Sequence, residues 1–174
     1  MSGGAARTAT LAELLAGLEL LAVRGELTTA VRGVSYDSRT VAPGHLFVAL
    51  PGARHDGHAF LEQACRQGAA ALLVEAPPSR APAGVVVAQV GSTRAALAQV
   101  ARSFFGDPST RLRVSGVTGT NGKTTFTYLL EEMLVAAGRR AGLIGTLGMR
   151  YGEVLRSTRN TTPESLDLQE MLRQ

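Results

Sequence analysis

The chain has 174 residues, enough for one ordinary domain or two small ones, and 45% of them are hydrophobic, which suffices for a packed core. Its formal net charge of +4 comes from 17 arginines and one lysine set against 14 acidic residues, and the basic residues are scattered along the chain. This spread indicates general solvation and argues against a nucleic-acid-binding face.

Two further features exclude whole classes of protein. No apolar run reaches the roughly 18 residues of a membrane-spanning helix, so we expect no membrane insertion. The single cysteine, Cys65, cannot form an intrachain disulfide, which favours a reducing compartment and hence the cytoplasm. Cys65 falls in a predicted helix, where a buried thiol without a catalytic role is the expected state.

The first half of the chain predicts short strands alternating with helices. Thr10 is placed to cap a helix that carries Leu11, Leu14 and Leu15 on one face. The elements predicted after it are a strand that starts at Val31 and ends in Tyr36-Asp-Ser-Arg39, a strand over 45–50, a helix over 58–67, and strands over 70–74 and 85–88.

The second half predicts a parallel α/β unit. Ser92 or Thr93 starts a helix that runs through Phe105, with its apolar residues at helical spacing. The elements predicted after it are a strand over 112–117, a helix over 123–137, a strand over 141–144, a small hairpin over 147–156 and a helix that begins at Pro163.

These elements predict the α/β fold class with two domains. Residues 1–90 form a small N-terminal α/β domain, and residues 91–174 form the first part of a parallel α/β domain with a phosphate-binding loop. The second unit stops after roughly two strands, and a parallel sheet needs more strands to cover both of its faces. We therefore expect the second domain to be incomplete in this chain.

The strongest chemical signal is the glycine-rich stretch Gly116-Val-Thr-Gly-Thr-Asn-Gly-Lys-Thr-Thr125. Backbone N–H groups in such a turn surround a phosphate, and the start of the following helix adds partial positive charge. The usual spacing places a glycine where this chain has Val117. Lys123 is the only lysine in the chain, which indicates a chemical need for a compact ammonium at this position. The sequence therefore predicts a nucleotide-binding site in which the hydroxyl of Thr124 binds a magnesium ion.

Three other polar clusters are weaker candidates. Asp37-Ser-Arg39 follows a strand and fits either a ligand contact or a turn closed by a salt bridge. His55-Asp-Gly-His58 fits a metal pair or a ligand-facing loop, and the loop is favoured because no third metal ligand lies nearby in the sequence. Asn160-Thr-Thr162 fits helix capping, but capping needs only one such residue, so a run of three favours a ligand.

Taken together, these motifs resemble those of the Mur ligase family. The stretch 116–125 is similar to the ATP loop of that family, which shares the displaced glycine. The N-terminal motifs Asp37-Ser-Arg39, Pro43-Gly-x-Leu-Phe-Val-Ala-Leu-x-Gly52 and Asp56-Gly-His58 resemble the domain that holds the UDP end of the substrate. Segments 142–146 and 160–163 resemble the branch that makes UDP-N-acetylmuramoyl-tripeptide, and the resemblance covers about residues 31–174.

The resemblance implies a role for each matching residue. Tyr36 and Ser38 would line the uridine pocket, and Ala53, Arg54 and His55 would lie on its second loop. Asn160, Thr161 and Thr162 would hold the muramoyl–peptide part of the substrate. The ATP phosphates would be bound by Gly119, Thr120, Asn121, Gly122, Lys123, Thr124 and Thr125, with Lys123 in the catalytic role and Thr124 on Mg²⁺.

The reaction implied is ATP-dependent amide formation in peptidoglycan precursor synthesis. The D-Glu carboxylate of UDP-MurNAc-L-Ala-D-Glu would become an acyl phosphate, which the amine of a diamino acid then attacks. The implied cofactors are ATP and Mg²⁺, and we expect a monomer. The C-terminal amino-acid-binding domain and the later metal-binding groups of the family have no counterpart in these residues, so we expect this chain alone to be inactive in ligation.

Three alternatives stay open at this point. The chain could be a non-catalytic module that binds UDP-MurNAc-peptide and nucleotide. It could belong to the sister branch that adds D-Ala-D-Ala, although that branch lacks the Asn-Thr-Thr-Pro run over 160–163. An unrelated P-loop kinase is weaker, because a kinase has no need for the motif over 37–39 or the run over 160–162.

Overall fold

The computed structural model describes residues 8–52, 56–78, 83–151, 153–156 and 163–174. Within these ranges it contains ten strands and five α-helices, joined by loops and short 3₁₀ turns. In chain order they are β1 (Ala9–Thr10), α1 (Leu11–Leu15), β2 (Leu20–Arg24), β3 (Ala30–Val31), β4 (Gly33–Ser35), β5 (His45–Val48), α2 (Leu61–Arg66), β6 (Ala71–Val74), β7 (Val86–Val90), α3 (Thr93–Phe105), α4 (Lys123–Ala136), β8 (Gly142–Gly145), β9 (Gly148–Tyr151), β10 (Val154–Arg156) and α5 (Ser165–Arg173). The mixed α/β class is thereby confirmed.

A five-stranded sheet in the order β2-β7-β6-β5-β4 organises the N-terminal half. Strands β4, β5, β6 and β7 are mutually parallel, and β2 adds to the edge antiparallel to β7. Because parallel strands end on the same side, the loops that leave β4, β5, β6 and β7 all lie along one edge of the sheet. We call this edge the carboxyl edge.

Both faces of this sheet are covered, which explains its continuous apolar strands. Leu46 and Val48 of β5 face the cluster that contains helices α1 and α3, while Phe47 and Ala49 face the cluster that contains helix α2. Each of these four residues is at most 1% exposed. Cys65 packs at the margin of the second cluster, and burial raises the pKa of its thiol, as expected for a structural cysteine.

Helices α1 and α3 begin at the caps that the sequence predicted. Thr10 and Glu13 form a capping box at the start of α1, and the Ser92 hydroxyl accepts a hydrogen bond from the Ala95 N–H at the start of α3. The predicted apolar face of α3 is buried along its whole length, and it consists of Ala96, Leu97, Val100, Ala101 and Phe104.

The second half departs from the parallel unit predicted for it. Residues 112–117 form no strand, and Val114 is 70% exposed. Strand β8 pairs antiparallel with β9, and β9 with β10, so the described part of this half forms an antiparallel sheet. The prediction was wrong because a strand needs a hydrogen-bonded neighbour, and no strand in the described ranges pairs with this segment: β8 is hydrogen-bonded to β9 alone. The predicted hairpin over 147–156 is confirmed, although its residue 152 lies outside the described ranges.

Several apolar residues of helix α4 are exposed, contrary to the expectation from their helical spacing. Leu129 and Met133 are 60% and 69% exposed, whereas Glu131 is the buried residue of this helix. The helix therefore buries a charged residue against the rest of the described chain, while part of its apolar side stays exposed. No helix in the described ranges has both the length and the apolar character needed to cross a membrane.

His45 on β5 should make the stability of the folded chain dependent on pH. Its Nδ1 lies 2.9 Å from the Ser35 hydroxyl on β4, and burial lowers the pKa of the imidazole. Below about pH 6.5 the imidazole of His45 is therefore protonated more readily in the unfolded chain than in the folded chain. The free energy of unfolding consequently falls as the pH drops from there through the lower pKa of the folded state. We expect the urea midpoint to decrease between about pH 7 and about pH 5, and to decrease less in His45→Gln. Equal pH slopes in the two proteins would contradict this role.

Candidate functional site

The glycine-rich loop lies exposed and runs directly into helix α4. Gly122 is the residue before the helix and has φ of 76°, a left-handed conformation that glycine adopts without strain. A Cβ at Gly122 would meet nothing within 4 Å, so the need for glycine there is conformational. Gly122 offers no capping side chain, and the first N–H groups of α4 therefore point toward the loop without an intrahelical partner.

Lys123 is the first residue of helix α4 and folds back over the loop. Its Nζ donates to the carbonyl oxygen of Gly119 at 2.5 Å and to that of Thr120 at 3.4 Å. Thr124 and Thr125 follow in the first turn of the helix and are exposed. A positive helix end, an ammonium group and two exposed hydroxyls therefore lie together where the loop enters α4, and these groups suit a phosphate.

Helix α4 is held against the β-hairpin by Arg150 of β9. The Arg150 guanidinium binds both carboxylate oxygens of Glu131, binds Glu132 at 3.0 Å, and lies 5.0 Å from the centre of the Tyr128 ring. The hydrogen bonds to Glu131 are the largest cause of a raised pKa of this guanidinium. Because α4 begins at Lys123, this contact also fixes the direction in which the loop faces.

Replacing Arg150 with methionine should lower the thermal midpoint of unfolding. The substitution leaves the Glu131 carboxylate, which is only 6% exposed, buried without its cation. The matched control is Arg140→Met, which removes an exposed arginine just after the same helix. The double variant Glu131→Leu with Arg150→Met should recover stability, since no buried charge remains. Equal midpoints for Arg150→Met and Arg140→Met in differential scanning calorimetry would contradict this interpretation.

The candidate uridine residues Tyr36 and Ser38 lie in the loop that leaves β4 at the carboxyl edge. The Tyr36 hydroxyl donates to Oδ2 of Asp167 at 2.5 Å, and burial, followed by this neighbour, raises the pKa of the phenol. Ser38 is buried, and its hydroxyl donates to Oε1 of Gln63 at 3.1 Å. Both side chains are therefore engaged with protein groups in this structure.

The motif over 37–39 forms a turn closed by a salt bridge, which was one of its two interpretations. Asp37 Oδ1 accepts from the N–H of Arg39 at 3.0 Å, and Asp37 Oδ2 lies 2.6 Å from Arg39 Nη2. This turn fixes the backbone on either side of Ser38. Its two charged side chains thereby stabilise the loop that carries the two candidate uridine residues.

The motif Asp56-Gly-His58 has a structural role at the same edge. The Nε2 of His58 accepts from the N–H of Glu75 at 2.9 Å, so the ring proton lies on Nδ1, which donates to Asp56 Oδ1 at 2.6 Å. The hydrogen bond from the His58 N–H is the largest cause of a lowered pKa of the Asp56 carboxyl. With both ring nitrogens engaged, His58 has no free nitrogen for a metal. Nowhere in the described ranges do three or more His, Cys, Asp or Glu side chains gather as a metal site requires.

The other predicted binding residues lie outside the described ranges. They are Ala53, Arg54 and His55 on the loop after β5, and Asn160, Thr161 and Thr162 before helix α5. The chain on either side of the first group is described, because Pro51 pairs with Asp56 in an isolated antiparallel bridge. Pro51 and Asp56 therefore lie side by side after β5.

Sequence reasoning missed two charged residues at this edge. The Glu75 carboxylate follows β6 and accepts from the N–H of Thr93 at 2.8 Å, at the start of helix α3. Arg94, the next residue of α3, binds the carboxylate of Glu164 and the carbonyl oxygen of Pro51. A carboxylate directly after a buried strand was a usable signal for Glu75, whereas Arg94 stands in no motif.

Comparison with known proteins agrees with this geometry. The model of the Mur ligase family catalytic domain matches residues 30–105, and that of the Mur ligase middle domain matches residues 117–174. The UDP-N-acetylmuramoyl-L-alanyl-D-glutamate–2,6-diaminopimelate ligase of Geobacter sulfurreducens is 43% identical over 163 residues. That match covers 94% of this chain and 32% of the relative, so the chain spans about a third of the length of the curated relatives it matches.

Solved structures give the same result at the level of the fold. A structure of a UDP-N-acetylmuramoyl-L-alanyl-D-glutamate–2,6-diaminopimelate ligase aligns with a TM-score of 0.68 and 26% identity, over 96% of this chain and 33% of that one. The MurF ligase of Thermotoga maritima in complex with ADP aligns with a TM-score of 0.53 and 28% identity, over 82% of this chain and 29% of that one. Two family models, a relative with 43% identity and two solved structures are all those of Mur ligases, and the chain belongs to the Mur ligase family.

Proposed function

We propose that this chain carries the nucleotide-sugar and ATP-phosphate segments of an ATP-dependent amide ligase. Its reaction adds the third amino acid, a diamino acid, to UDP-MurNAc-L-Ala-D-Glu during peptidoglycan precursor synthesis. The observation that carries the proposal is the loop with left-handed Gly122, which opens α4 with the only lysine of the chain. Relatives with that reaction in their names match nearly the whole chain around this loop.

The proposed roles divide the chain at about residue 90. Before it, Tyr36, Ser38 and the loop over 53–55 hold the UDP end. After it, residues 160–162 hold the muramoyl–peptide end, and the glycine-rich loop holds ATP. The phosphate-binding residues are Gly119, Thr120, Asn121, Gly122, Lys123, Thr124 and Thr125.

The residues at the loop also fit magnesium. Mg²⁺ prefers oxygen ligands and is bound by few protein groups together with substrate phosphates. The Thr124 hydroxyl is exposed in the first turn of α4, next to the proposed phosphate site, and it would supply one such oxygen. When bound there, the ion would neutralise charge on the phosphates.

The chemistry begins with an attack of the D-Glu carboxylate on ATP. An oxygen of the carboxylate bonds to the γ-phosphorus while the bond from that phosphorus to the β–γ bridging oxygen breaks, and ADP leaves. The amine of the incoming amino acid then bonds to the acyl carbon and loses a proton, and the carbon–oxygen bond to phosphate breaks. Lys123 would hold the γ-phosphate and stabilise the negative charge that it carries during transfer.

We further propose that the protein is a cytoplasmic monomer. The single cysteine fits a reducing compartment. Size-exclusion chromatography with light scattering tests the oligomeric state directly.

The test of the proposed function is a set of calorimetric titrations of the purified chain. We expect it to bind UDP-MurNAc-L-Ala-D-Glu, and to bind ATP with magnesium at a separate site. The rival within the family is a ligase that adds D-Ala-D-Ala, since the Thermotoga maritima MurF also aligns with this chain. A ligase that joins D-alanyl-D-alanine to the tripeptide nucleotide would prefer that nucleotide, so tighter binding of UDP-MurNAc-tripeptide than of the dipeptide nucleotide would overturn the proposal. Failure to bind either nucleotide sugar would also overturn it.

A further inference from the structure

The hydroxyl of Ser38, in the turn after β4, has one hydrogen-bond partner in the part of the chain that the structure describes. It donates its proton to Oε1 of Gln63 on helix α2 at 3.1 Å. A serine hydroxyl has one proton to donate and two lone pairs that accept. Because the proton is directed at Gln63, the hydroxyl can only accept a hydrogen bond from a further partner.

Both ends of this hydrogen bond are held in place by the fold. On the side of the turn, Asp37 Oδ1 accepts from the N–H of Arg39 at 3.0 Å, which fixes the backbone around Ser38. On the side of the helix, Gln63 directly precedes Ala64, which is fully buried in the apolar cluster that contains α2. The direction of the Ser38 hydroxyl is therefore set before a ligand arrives, and such preorganisation favours a ligand that matches it.

We propose that Gln63 is a specificity-determining residue that makes the Ser38 hydroxyl an acceptor for the base of the nucleotide sugar. This inference rests on the proposed function, in which Ser38 lines the uridine pocket. In a uracil nucleotide N1 carries the ribose, so N3–H is the only hydrogen-bond donor of the base. Cytosine has a lone pair on N3, which would face the lone pairs of an accepting hydroxyl. A fixed acceptor at Ser38 therefore selects uracil over cytosine.

The ratio of the affinities for UDP and CDP reports the direction of this one hydroxyl. Without an acceptor at residue 63, the Ser38 hydroxyl would rotate and donate to N3 of cytosine as readily as it accepts from N3–H of uracil. The two nucleotides differ only in the base. A side chain with a purely structural role would therefore change both affinities by the same factor and leave their ratio unchanged.

The experiment measures the affinities of UDP and CDP for the purified 174-residue chain by calorimetric titration. We expect the wild-type chain to bind UDP more tightly than CDP. In Gln63→Met, which removes the acceptor but keeps the side-chain length, the ratio of UDP to CDP affinity should fall about tenfold. Gln63→Glu, which can only accept when ionised, should keep the ratio within about twofold. Gln63→Lys, which can only donate, should lower the ratio at least as much as Gln63→Met.

Two further variants serve as controls. Gln67→Met removes the same amide group directly after helix α2, where the Oε1 of Gln67 has no hydrogen-bond partner in the described ranges. It should leave the ratio unchanged. Ser38→Ala should lower the ratio as Gln63→Met does, and the double variant should lower it no further, because both substitutions remove the same hydrogen bond.

The outcomes separate this inference from the proposed function. If Gln63→Met keeps the wild-type ratio, or if the wild-type chain binds UDP and CDP equally, Gln63 does not set the specificity. The proposed function still stands in both cases if the wild-type chain binds UDP-MurNAc-L-Ala-D-Glu. If it binds neither UDP nor this dipeptide nucleotide, the proposed function fails and the inference fails with it. Should Gln63→Met not fold, the ratios of Gln63→Glu and Gln63→Lys decide.

Discussion

Replacing Lys123 with alanine should weaken the binding of ATP with magnesium by about tenfold to a hundredfold. A hydrogen bond from an ammonium group to an anion contributes about 1.5–3 kcal/mol, and each 1.4 kcal/mol is about tenfold in affinity. In the structure the Lys123 ammonium already lies over the loop, bound to the carbonyl oxygens of Gly119 and Thr120. A phosphate group in the loop would replace these neutral acceptors with charged ones.

The same substitution should leave the nucleotide-sugar site intact. We expect the affinity for UDP-MurNAc-L-Ala-D-Glu to change by less than about twofold, because Lys123 shares no hydrogen-bond partner with Tyr36 or Ser38 and substitutions at sites without shared partners act independently. The matched control is Arg139→Ala, which also removes one positive charge but lies beyond the far end of helix α4. If Arg139→Ala weakens the binding of ATP as much as Lys123→Ala does, the effect comes from the overall charge of the chain. A local role of Lys123 at the phosphate site is then refuted.

Lys123→Arg separates charge from shape at this position. The variant keeps the positive charge but replaces a compact ammonium with a larger planar group. Since the chain uses arginine at its 17 other basic positions, we expect that arginine does not substitute here and that ATP binding stays weak. Full recovery of ATP affinity in calorimetric titrations would show that charge alone is required.

Most helices and strands of the N-terminal half could be predicted from the sequence, because apolar spacing and helix caps are patterns among residues that are close in the chain. The five residues of the predicted apolar face of α3 recur at helical spacing, and all five are buried. Thr10 was correctly predicted as a cap, and the start of α3 was correctly placed at Ser92 or Thr93, since a cap depends only on residues within the next turn. Strand β2 was missed because most of its residues are exposed and no alternating pattern marks them.

Signals in the second half failed where distant contacts decide the outcome. The β-branched residues of segment 112–117 favour a strand, yet a strand forms only where another strand pairs with it. The spacing of Leu129 and Met133 indicates an apolar helix face but cannot say whether another element covers it. Arg150 instead selected the charged face of α4 by binding Glu131, 19 residues earlier in the chain.

The candidate site shows the same division between local and distant signals. The glycine-rich loop could be found from sequence because its chemistry lies within ten consecutive residues. The Arg94–Glu164 pair joins residues 70 apart, and the Tyr36–Asp167 bond joins residues 131 apart. A single sequence without a fold gives no sign of such pairs. Whether Tyr36 and Ser38 bind uridine stays a prediction.

Replacing Gly57 with alanine should destabilise the chain by about 1–3 kcal/mol, the usual cost of overfilling a packed site. A Cβ at Gly57 would lie 2.7 Å from the Leu50 nitrogen, 2.9 Å from the Leu50 oxygen and 3.0 Å from the Ala49 carbonyl carbon. All three are backbone atoms at the end of β5, so no side chain can rotate away. The Gly57 N–H also donates to the Leu50 oxygen at 2.9 Å, which holds the two backbones together.

The displacement caused by this alanine should also weaken UDP binding. Asp56 and His58 flank Gly57; Asp56 accepts from the N–H of His58, and His58 in turn accepts from the backbone N–H of Glu75, which anchors the chain directly after residues 53–55. If that loop contacts uridine as proposed, moving its anchor should lower the affinity for UDP several-fold, even below the temperature at which the variant unfolds. The glycine of this motif is thus required by close backbone approach, while its two polar residues fix the loop.

Gly91→Ala is the matched control for this prediction. Gly91 directly follows β7 at the same carboxyl edge, its φ is not positive, and a Cβ there would meet nothing within 4 Å. Its urea midpoint and UDP affinity should match those of the wild type. If Gly57→Ala behaves like Gly91→Ala in both measurements, the backbone contact is not tight in solution. If Gly57→Ala loses stability but keeps its UDP affinity, the loop over 53–55 does not depend on this anchor.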